Sequence, residues 1–191
     1  KVIVAVSEKE FTALESIYQR GRANGVRCEI IEKDKLHELE PHVAGIRALH
    51  VPDAGIVNFR QICSRLECLI KEKEQNEIIL SSRVISIKQK SQCIIVKTER
   101  EEYEAKYLVN CAGLYSDKVA SMAQRPDSKI VPFRGEYFKI IPEKRYLCKN
   151  LIYPVPNQNL PFLGVHFTRM IDGSVECGPN AVLAFAREGY K

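Results

Sequence analysis

The chain has 191 residues, of which 45% are hydrophobic and 28% are charged, a balance typical of a soluble globular protein of one domain or two small ones. The formal net charge is +5, with Lys and Arg scattered among Asp and Glu, which fits a small anionic substrate slightly better than a cationic one and does not argue for nucleic-acid binding. The longest apolar runs fall far short of the ~20 residues of a membrane span, so no spanning segment is expected, and no signal peptide opens the sequence.

The first part of the chain, 1–57, predicts alternating strands and helices. Ser7 and Glu10 form the Ser-x-x-Glu pattern of a capping box, so a helix is expected to begin there with its apolar side chains on one face. Gly25 stands where such a helix ends. The predicted elements are a strand at 2–6, this helix, a strand at 27–31, a short helix capped by Asp34 and stopped by Pro41, and a strand at 46–51.

Residues 58–105 begin with a second amphipathic helix and continue as β-structure. Asn58 and Gln61 open the helix, whose apolar positions recur with the helical period. The mixed charge run at 71–74 predicts a solvated helix end. The apolar helix positions are Ile62, Leu66, Leu69 and Ile70, and the predicted strands lie at 78–80, 84–88, 93–98 and 103–105.

The stretch 107–117 combines an apolar run, small residues and a possible helix start. Residues 108–109 predict a buried strand, Ala112 and Gly113 remove side-chain bulk at its end, and Ser116 can cap a helix. The N–H groups of such a turn favour phosphate or another electron-rich group. An ordinary β–α turn, whose small residues only permit tight packing, explains the same pattern and is the commoner case by spacing alone.

The remainder of the chain, from residue 126 onward, is rich in predicted strands. Asp172-Gly173 is a strong signal for a hairpin that joins the last two of them. Two different β regions thus flank a β–α core, which predicts an α+β or mixed α/β fold with two interleaved subdomains. The predicted strands lie at 137–141, 151–155, 163–168 and 174–178.

The cysteines are odd in number and no pair has C-x-x-C spacing. The histidines do not cluster with them at the spacing of metal ligands. This pattern predicts reduced, buried thiols and neither a disulfide framework nor a metal site. The seven cysteines stand at positions 28, 63, 68, 93, 111, 148 and 177.

Several longer segments together identify a family. They are Val-Asn-Cys-Ala-Gly-Leu-Tyr-Ser-Asp (109–117), Pro-Phe-Arg-Gly-Glu-Tyr-Phe (132–138) and Pro-Phe-Leu-Gly-Val-His-Phe-Thr (161–168). These segments resemble the FAD-dependent oxidoreductases of the D-amino-acid oxidase superfamily. Two others, His-Val-Pro-Asp-Ala-Gly-Ile-Val (50–57) and Gly-Pro-Asn-Ala-Val-Leu-Ala-Phe-Ala-Arg-Glu-Gly-Tyr (178–190), are similar to its L-2-hydroxyglutarate dehydrogenase/oxidase group.

The resemblance implies part of an FAD-binding, glutathione-reductase-like Rossmann domain interleaved with an antiparallel-sheet substrate domain. Residues 1–57 and 126–191 would belong to the substrate domain, and residues 58–125 to the FAD-binding domain. Family members are roughly twice as long and open with a G-x-G-x-x-G loop that binds the FAD pyrophosphate. This sequence contains no such loop, so we expect a central fragment with an incomplete FAD site, weak or absent FAD binding and no turnover by itself.

The activity implied for the intact enzyme is the FAD-dependent oxidation of L-2-hydroxyglutarate, a small dicarboxylate, to 2-oxoglutarate. Two alternatives stay open, namely a related flavin oxidoreductase acting on another 2-hydroxy acid or amino acid, and a non-catalytic binding module. The electron acceptor is open between oxidase and dehydrogenase, and no oligomeric state is implied. The implied location is the bacterial cytoplasm, with or without membrane association, or the mitochondrion of a eukaryote.

The resemblance also assigns cofactor contacts. Val84 matches the position whose backbone meets the adenine, although a core strand valine explains it as well. Ala112 and Gly113 match the small-residue turn beside the ribose and pyrophosphate. Cys111 adjoins this turn and has no charged partner nearby in sequence, so we expect a small packed thiol and not a nucleophile.

His166 is the predicted catalytic base. Oxidation of a 2-hydroxy acid needs an acceptor for the hydroxyl proton, and an unperturbed histidine titrates near physiological pH. A strand histidine satisfied by a neighbouring carbonyl is the alternative. In a regular strand at 163–169, Thr168 shares the face of His166 and Arg169 does not, so Thr168 is predicted to face the substrate and Arg169 to be a surface or structural charge.

Arg134, Tyr137, Tyr153 and Asn180 complete the predicted substrate-binding set, because a dicarboxylate needs cationic or hydrogen-bonding partners at both ends. Arg134 precedes a glycine that would let a ligand pass closely, and an interdomain salt bridge is its alternative role. The tyrosines fit core positions with hydroxyls reaching solvent. Asn180 fits a turn after a Gly-Pro pair equally well.

Overall fold

The computed structural model describes residues 1–157 and 162–189. The chain packs as two compact units, which we call the sheet unit and the meander unit. Their bounds rest on packing alone, so the predicted assignment of segments to substrate and FAD binding stays a prediction. The sheet unit comprises Lys1–Ile62 and Gly135–Val182, and the meander unit comprises Cys63–Arg134 and Leu183–Lys191.

Ten strands and four α-helices form the described part of the chain. The helices are α1 (Phe11–Ala23), α2 (Lys33–Leu39), α3 (Phe59–Lys71) and α4 (Ser116–Ala120). The strands are β1 (Val2–Ala5), β2 (Glu29–Glu32), β3 (Arg47–His50), β4 (Val84–Gln89), β5 (Ile94–Thr98), β6 (Glu102–Ala105), β7 (Phe133–Lys139), β8 (Ile152–Pro154), β9 (His166–Arg169) and β10 (Val175–Leu183).

The sheet unit is built on a seven-stranded sheet with the order β2-β3-β1-β8-β9-β10-β7. Strand β1 pairs antiparallel with β3 and parallel with β8, and the β8–β9 and β9–β10 pairs are antiparallel. The predicted hairpin between the last two strands is confirmed, because Gly173 has a φ of 77° and Val175 pairs with Arg169. The sheet therefore places the ends of β8 and β9, and the side chains they carry, next to one another.

Both faces of the β1–β3 region are covered, which follows from the alternation of side chains along a strand. On one face, Ala5 and Leu49 pack with Leu14 of α1, and on the other, Val4 packs with Leu36 of α2. The predicted capping box is present in part, since the Glu10 carboxylate accepts hydrogen bonds from the N–H groups before α1. Burial of these side chains drives the assembly of the unit.

Two residues fix the segment between α2 and β3. A Cβ on Gly45 would lie 2.3 Å from Val4 Cγ1 and 2.7 Å from Leu36 Cδ2, so only glycine fits there. Glu40 has no exposed surface, and its carboxylate accepts hydrogen bonds from the main-chain N–H groups of Lys149 and Asn150 at 3.0 and 2.6 Å. The chain after α2 is thereby tied to the loop that leads into β8.

The meander unit contains a three-stranded antiparallel sheet in the order β4-β5-β6. Ile87 of β4 pairs with Val96 of β5, and both side chains are buried. Thr98 is buried as well, and its hydroxyl accepts the N–H groups of Arg100 and Glu101 at the hairpin tip. The apolar side chains of α3 are exposed in this structure, among them Leu66 at 52% and Leu69 at 41%.

Some sequence predictions about local structure are wrong. Residues 78–80 and 107–111 are irregular and not strands, and Tyr107 and Val109 are 87% and 80% exposed. No described strand runs beside 107–111, and an extended segment without a hydrogen-bonded neighbour does not form a stable strand. Ser116 is the first residue of α4 and not its cap, and α2 begins before Asp34.

The sequence also predicts that no helix crosses a membrane. Within 1–157 and 162–189, no helix reaches the length and apolar content that crossing a bilayer requires.

Candidate active site

His166 begins β9 and is buried, with 7% of its surface exposed. Its ring stacks on that of Tyr153 from β8, with centroids 4.2 Å apart and planes 12° from parallel. His166 Nδ1 lies 3.0 Å from the carbonyl oxygen of Gly164, which can only accept, so Nδ1 carries the proton and donates it. The neutral ring therefore keeps its lone pair on Nε2, the nitrogen that can accept a proton.

Tyr153 is held on more than one side. The Lys1 ammonium lies 3.9 Å from the centroid of the Tyr153 ring, a cation–π contact, and burial lowers the pKa of the Lys1 side chain. The Tyr153 backbone pairs with β1, opposite Ile3. Packing and strand pairing thus fix the ring against which His166 is stacked.

Tyr153 and Thr168 line a cavity of about 560 Å³ within the sheet unit. Phe167 and Val165 line a different, largely apolar cavity of about 400 Å³. The two cavities confirm the predicted alternation along β9, because successive side chains of a strand point to opposite faces. His166 itself lines neither cavity, and Tyr153, on which its ring stacks, lines both.

The larger cavity also contains two cations that the sequence reasoning missed. Arg60, in the first turn of α3, and Lys139, at the end of β7, both line it. Each was hidden among ordinary surface charges of an amphipathic helix and a strand end. The one available signal is that Lys139 lies two residues beyond Tyr137 and so shares its face of the strand.

Two carboxylates, those of Asp172 and Glu176, line the same cavity. Asp172 accepts hydrogen bonds from the N–H and the hydroxyl of Ser174 at 2.9 and 2.6 Å, and these bonds lower the pKa of Asp172. Lys139 lowers it further by its charge. The Asp172 carboxylate is therefore satisfied by its own hairpin.

The other predicted substrate residues lie elsewhere. Tyr137 and Asn180 do not line the larger cavity, and Tyr137 instead packs on Gly178, where a Cβ would lie 2.6 Å from Tyr137 Cδ1. Asn180 is exposed within β10, so the alternative of a turn at this position is wrong. Arg134 is half-buried on the part of β7 that belongs to the meander unit.

Arg169 donates hydrogen bonds to the carbonyl oxygens of Arg145 and Cys148, at 3.1 and 2.5 Å. These contacts agree with the predicted structural role of Arg169. His166, Thr168 and Tyr153 are therefore the predicted residues that the structure brings together.

The small-residue turn of the meander unit is open. Cys111, Ala112 and Gly113 are all exposed, so the prediction of a packed Cys111 thiol is wrong. Gly113 has a φ of +54°, and a Cβ there would meet no atom within 4 Å. Asn110 supports the turn, since its side-chain oxygen accepts the N–H of Ala112 and its amide donates to the carbonyl of Ser116.

This open turn fits the approach of a large, flat or anionic group. Among the described residues, the N–H groups of Gly113 and Leu114 have no hydrogen-bond partner, as is usual in the first turn of a helical segment. Val84 lies at the start of β4, opposite Thr98, and its predicted contact with the adenine stays a prediction. The main chain of the turn therefore offers donors and space but no catalytic side chain.

The sequence also makes predictions about the cysteines and the possible metal ligands. Cys28 and Cys148 are buried as predicted, whereas Cys63 and Cys68 on α3 are exposed. Across 1–157 and 162–189, no three His, Cys, Asp or Glu side chains come together in a way that could hold a metal ion.

Comparison with known proteins places these observations in a family. Residues 1–190 match the family model described as FAD dependent oxidoreductase (DAO). The chain is 48% identical to an L-2-hydroxyglutarate dehydrogenase of Indibacter alkaliphilus and 41% identical to that of Escherichia coli K12, covering 100% of this chain and 48% and 46% of those proteins. It is 42% identical to the mitochondrial L-2-hydroxyglutarate dehydrogenase of Homo sapiens, of which it covers 44%.

Solved structures show the same fold. L-proline dehydrogenase from P. horikoshii superposes with a TM-score of 0.80 at 15% identity, over 97% of this chain and 50% of that one. Glycine oxidase from Bacillus cereus gives 0.74 at 20% identity, over 97% and 49%. The predicted mixed α/β fold class is confirmed, and the chain spans about half the length of the curated relatives it matches.

Proposed function

Because this chain belongs to the family of FAD dependent oxidoreductases, we propose that it forms the central part of an enzyme that oxidises L-2-hydroxyglutarate to 2-oxoglutarate. The substrate is taken from the names of relatives that are 40–48% identical over the whole chain. One structural observation carries the proposal, namely the cavity in which Tyr153 and Thr168 meet two cations, Arg60 and Lys139. Glu176 and Asp172 line the same cavity, and the Asp172 carboxylate is engaged by Ser174. A dicarboxylate needs such partners at both ends.

His166 is the proposed acceptor of the proton from the 2-hydroxyl group. Its Nδ1 proton is engaged by the carbonyl of Gly164, which leaves Nε2 as the basic nitrogen. Tyr153 holds the imidazole ring in place by stacking, and Thr168 offers a hydroxyl on the same strand face. Proton removal raises the electron density on the substrate oxygen and so favours departure of the hydrogen on C2 with its two electrons, as a hydride.

FAD, when bound, supplies the acceptor for two electrons, which no side chain of this chain can provide. Within the chain, the N–H groups at Gly113 and Leu114 would face its pyrophosphate or ribose, and the Val84 backbone its adenine. The sequence contains no G-x-G-x-x-G loop. We therefore expect the 191-residue polypeptide alone to bind FAD weakly and to show no turnover.

Arg60 and Lys139 are the proposed partners of the substrate carboxylates. Both are exposed cations, and long charged side chains of this kind can close on a dianion at little cost in packing. Arg134, Tyr137 and Asn180 remain predicted substrate residues through the family resemblance. The compartment, bacterial cytoplasm or mitochondrion, and any membrane association also remain predictions.

The test uses the intact polypeptide that carries these 191 residues, reconstituted with FAD and mixed with substrate without oxygen. L-2-Hydroxyglutarate is expected to bleach the visible flavin absorbance, whereas D-2-hydroxyglutarate, glycine and L-proline are not. Bleaching by an amino acid alone would favour the related flavin oxidoreductase. A polypeptide that takes up no flavin would favour the non-catalytic module.

A substitution tests the assigned base. His166→Gln is expected to lower kcat by about 10²- to 10⁴-fold, the usual contribution of a positioned base, and to remove the acidic limb of the pH profile, in which activity rises with pH as the base loses its proton. His37→Gln is the control, because His37 bonds only the carbonyl of Val43, away from the cavity. An unchanged pH profile in His166→Gln would exclude His166 as the base.

A further inference from the structure

A partly buried ion pair joins two distant sequence segments of the meander unit. Arg187 donates from Nη1 to Oδ1 of Asp117 at 2.7 Å and from Nη2 to Oδ2 at 2.6 Å, a two-pronged contact. The side chains are only 13% and 10% exposed. Arg187 belongs to the segment after β10, 70 residues beyond Asp117, and both lie in motifs that carry the family resemblance.

Asp117 is satisfied on every side. Besides Arg187, its carboxylate accepts the main-chain N–H of Ile130 at 3.1 Å and that of Lys118 at 2.8 Å. The hydrogen bonds from Arg187 are the largest cause that lowers the pKa of Asp117 to about 2. The carboxylate is therefore ionised at any physiological pH, and the pair does not act as a pH switch.

Arg187 also contacts the small-residue turn directly. Its Nη1 donates to the carbonyl oxygen of Leu114, and its Cζ lies 5.7 Å from the centroid of the Tyr115 ring. Leu114 immediately follows Gly113, where a Cβ would meet no atom within 4 Å. The guanidinium thus engages three of the four residues that follow the turn, at positions 114, 115 and 117.

The turn is closed by one main-chain hydrogen bond, from the N–H of Tyr115 to the carbonyl oxygen of Ala112 at 3.0 Å, and is otherwise held by side chains. Cys111, Ala112 and Gly113 are exposed, and no residue of 111–120 is buried. The hydrogen bonds of Asn110 support the turn from one end, and those of Arg187 and Asp117 support it from the other. Because a planar guanidinium with several donors fixes both distance and direction, its loss would free the Leu114 carbonyl and the peptide plane next to it.

We propose that Arg187, through its paired contact with Asp117 and Leu114, is a positioning residue that sets the conformation of the Ala112–Gly113 turn for FAD. This inference rests on the proposed role of that turn in FAD binding. It adds that the segment after β10, which the family resemblance assigns to the substrate domain, shapes the cofactor site. Arg187 itself makes no contact with the reacting atoms.

The experiment compares Arg187→Ala and Arg187→Lys in the intact polypeptide. FAD affinity is measured by titrating the FAD-free protein with FAD and following the loss of flavin fluorescence, at a temperature where every variant is folded. Arg187→Ala is expected to weaken FAD binding by about 10- to 100-fold, as when outer partners that orient ligand groups are removed. Arg187→Lys, which keeps the charge but loses the two-pronged geometry, should fall between Arg187→Ala and the unmodified protein.

Arg100→Ala is the matched control, since Arg100 is an exposed arginine of the same unit at the β5–β6 tip. It should bind FAD like the unmodified protein. At saturating FAD, kcat of Arg187→Ala should be largely restored, because a positioning residue acts on occupancy of the site. A merely structural role would lower the melting temperature of the FAD-free protein and leave the FAD affinity of the folded protein unchanged.

The outcomes separate the two proposals. If the unmodified polypeptide binds no FAD, the proposed function fails. If it binds FAD and Arg187→Ala binds with equal affinity, this inference is overturned and the proposed function stands. If Arg187→Ala does not fold, Arg187→Lys decides, since an affinity equal to that of the unmodified protein would overturn the inference.

Discussion

The two units of the chain hold their functional segments in different ways. In the sheet unit, apolar side chains from β1, β3, α1 and α2 are fully enclosed, and the candidate base His166 sits on strands that this core orders. In the meander unit, the described residues bury only Ile87 and Val96 among apolar side chains. Its turn at Ala112–Gly113 is ordered by polar contacts from Asn110 and Arg187.

The difference teaches where each unit is vulnerable. Apolar burial is non-directional and spread over many side chains, so it tolerates small shifts of position. Truncating a large buried side chain, however, leaves a cavity and lowers the free energy of unfolding. Hydrogen-bonded carboxylates are directional, so a change of one atom alters geometry even when volume is kept. We expect core substitutions to lower the free energy of unfolding most in the sheet unit. In the meander unit, we expect substitutions of hydrogen-bonded charged side chains to have the main effect on the turn.

The largest expected effect is in the sheet-unit core. Leu36→Ala removes a side chain with no exposed surface and should lower the free energy of unfolding by about 2–5 kcal/mol. Leu69→Ala on α3, where the leucine is 41% exposed, is the control and should change it by less than ~1 kcal/mol. Urea unfolding of the 191-residue chain measures both, and equal losses would remove the distinction between the units.

A smaller effect is expected at Glu40. In the unmodified protein, the two carboxylate oxygens of Glu40 accept hydrogen bonds from two main-chain N–H groups. Glu40→Gln replaces one of these oxygens by an amide NH₂, which cannot accept, and should lower the free energy of unfolding by about 1–3 kcal/mol. Glu38→Gln on the same helix removes only an exposed ion pair with Lys35 and should cost less than ~1 kcal/mol. If Glu40→Gln is as stable as Glu38→Gln in urea, the buried carboxylate does not tie the α2 loop down.

The smallest effect is one of pH on the meander unit. The folded-state pKa of Asp117 is about 2, below the ordinary aspartate value of 3.8, so its stabilisation is fully present above about pH 4 and is lost as pH falls toward 2. Circular dichroism in urea should show a loss of stability in that window for the unmodified chain. Asp117→Asn should lack this component, and a matching pH dependence in both proteins would rule out Asp117 as its source.

Much of the fold follows from sequence because the signals are local. The capping residues Ser7 and Glu10, the Asp172-Gly173 hairpin and the alternation of apolar side chains depend on neighbours a few residues away. The predicted strand at 108–109 is wrong for the opposite reason. Whether an apolar run forms a strand depends on a partner strand, and no local pattern shows whether one is present.

In the candidate site, too, some residues follow from a local sequence pattern and others depend on tertiary packing. Strand alternation predicts that Thr168 and Phe167 point to opposite faces of β9, and they line different cavities, because that property is local to the strand. No local pattern predicts that Arg60 and Lys139 line the cavity, because only tertiary packing brings them there. The contact between Asp117 and Arg187 spans 70 residues, and a single sequence gives no reason to pair that arginine with that aspartate over any other.

The hydrogen bond between His166 Nδ1 and the Gly164 carbonyl has a consequence for repeated turnover. A ring anchored through Nδ1–H gains and loses a proton only at Nε2, and its tether to the main chain is the same in both charge states. Neither the imidazole nor the stacked Tyr153 would have to reorient between one substrate molecule and the next.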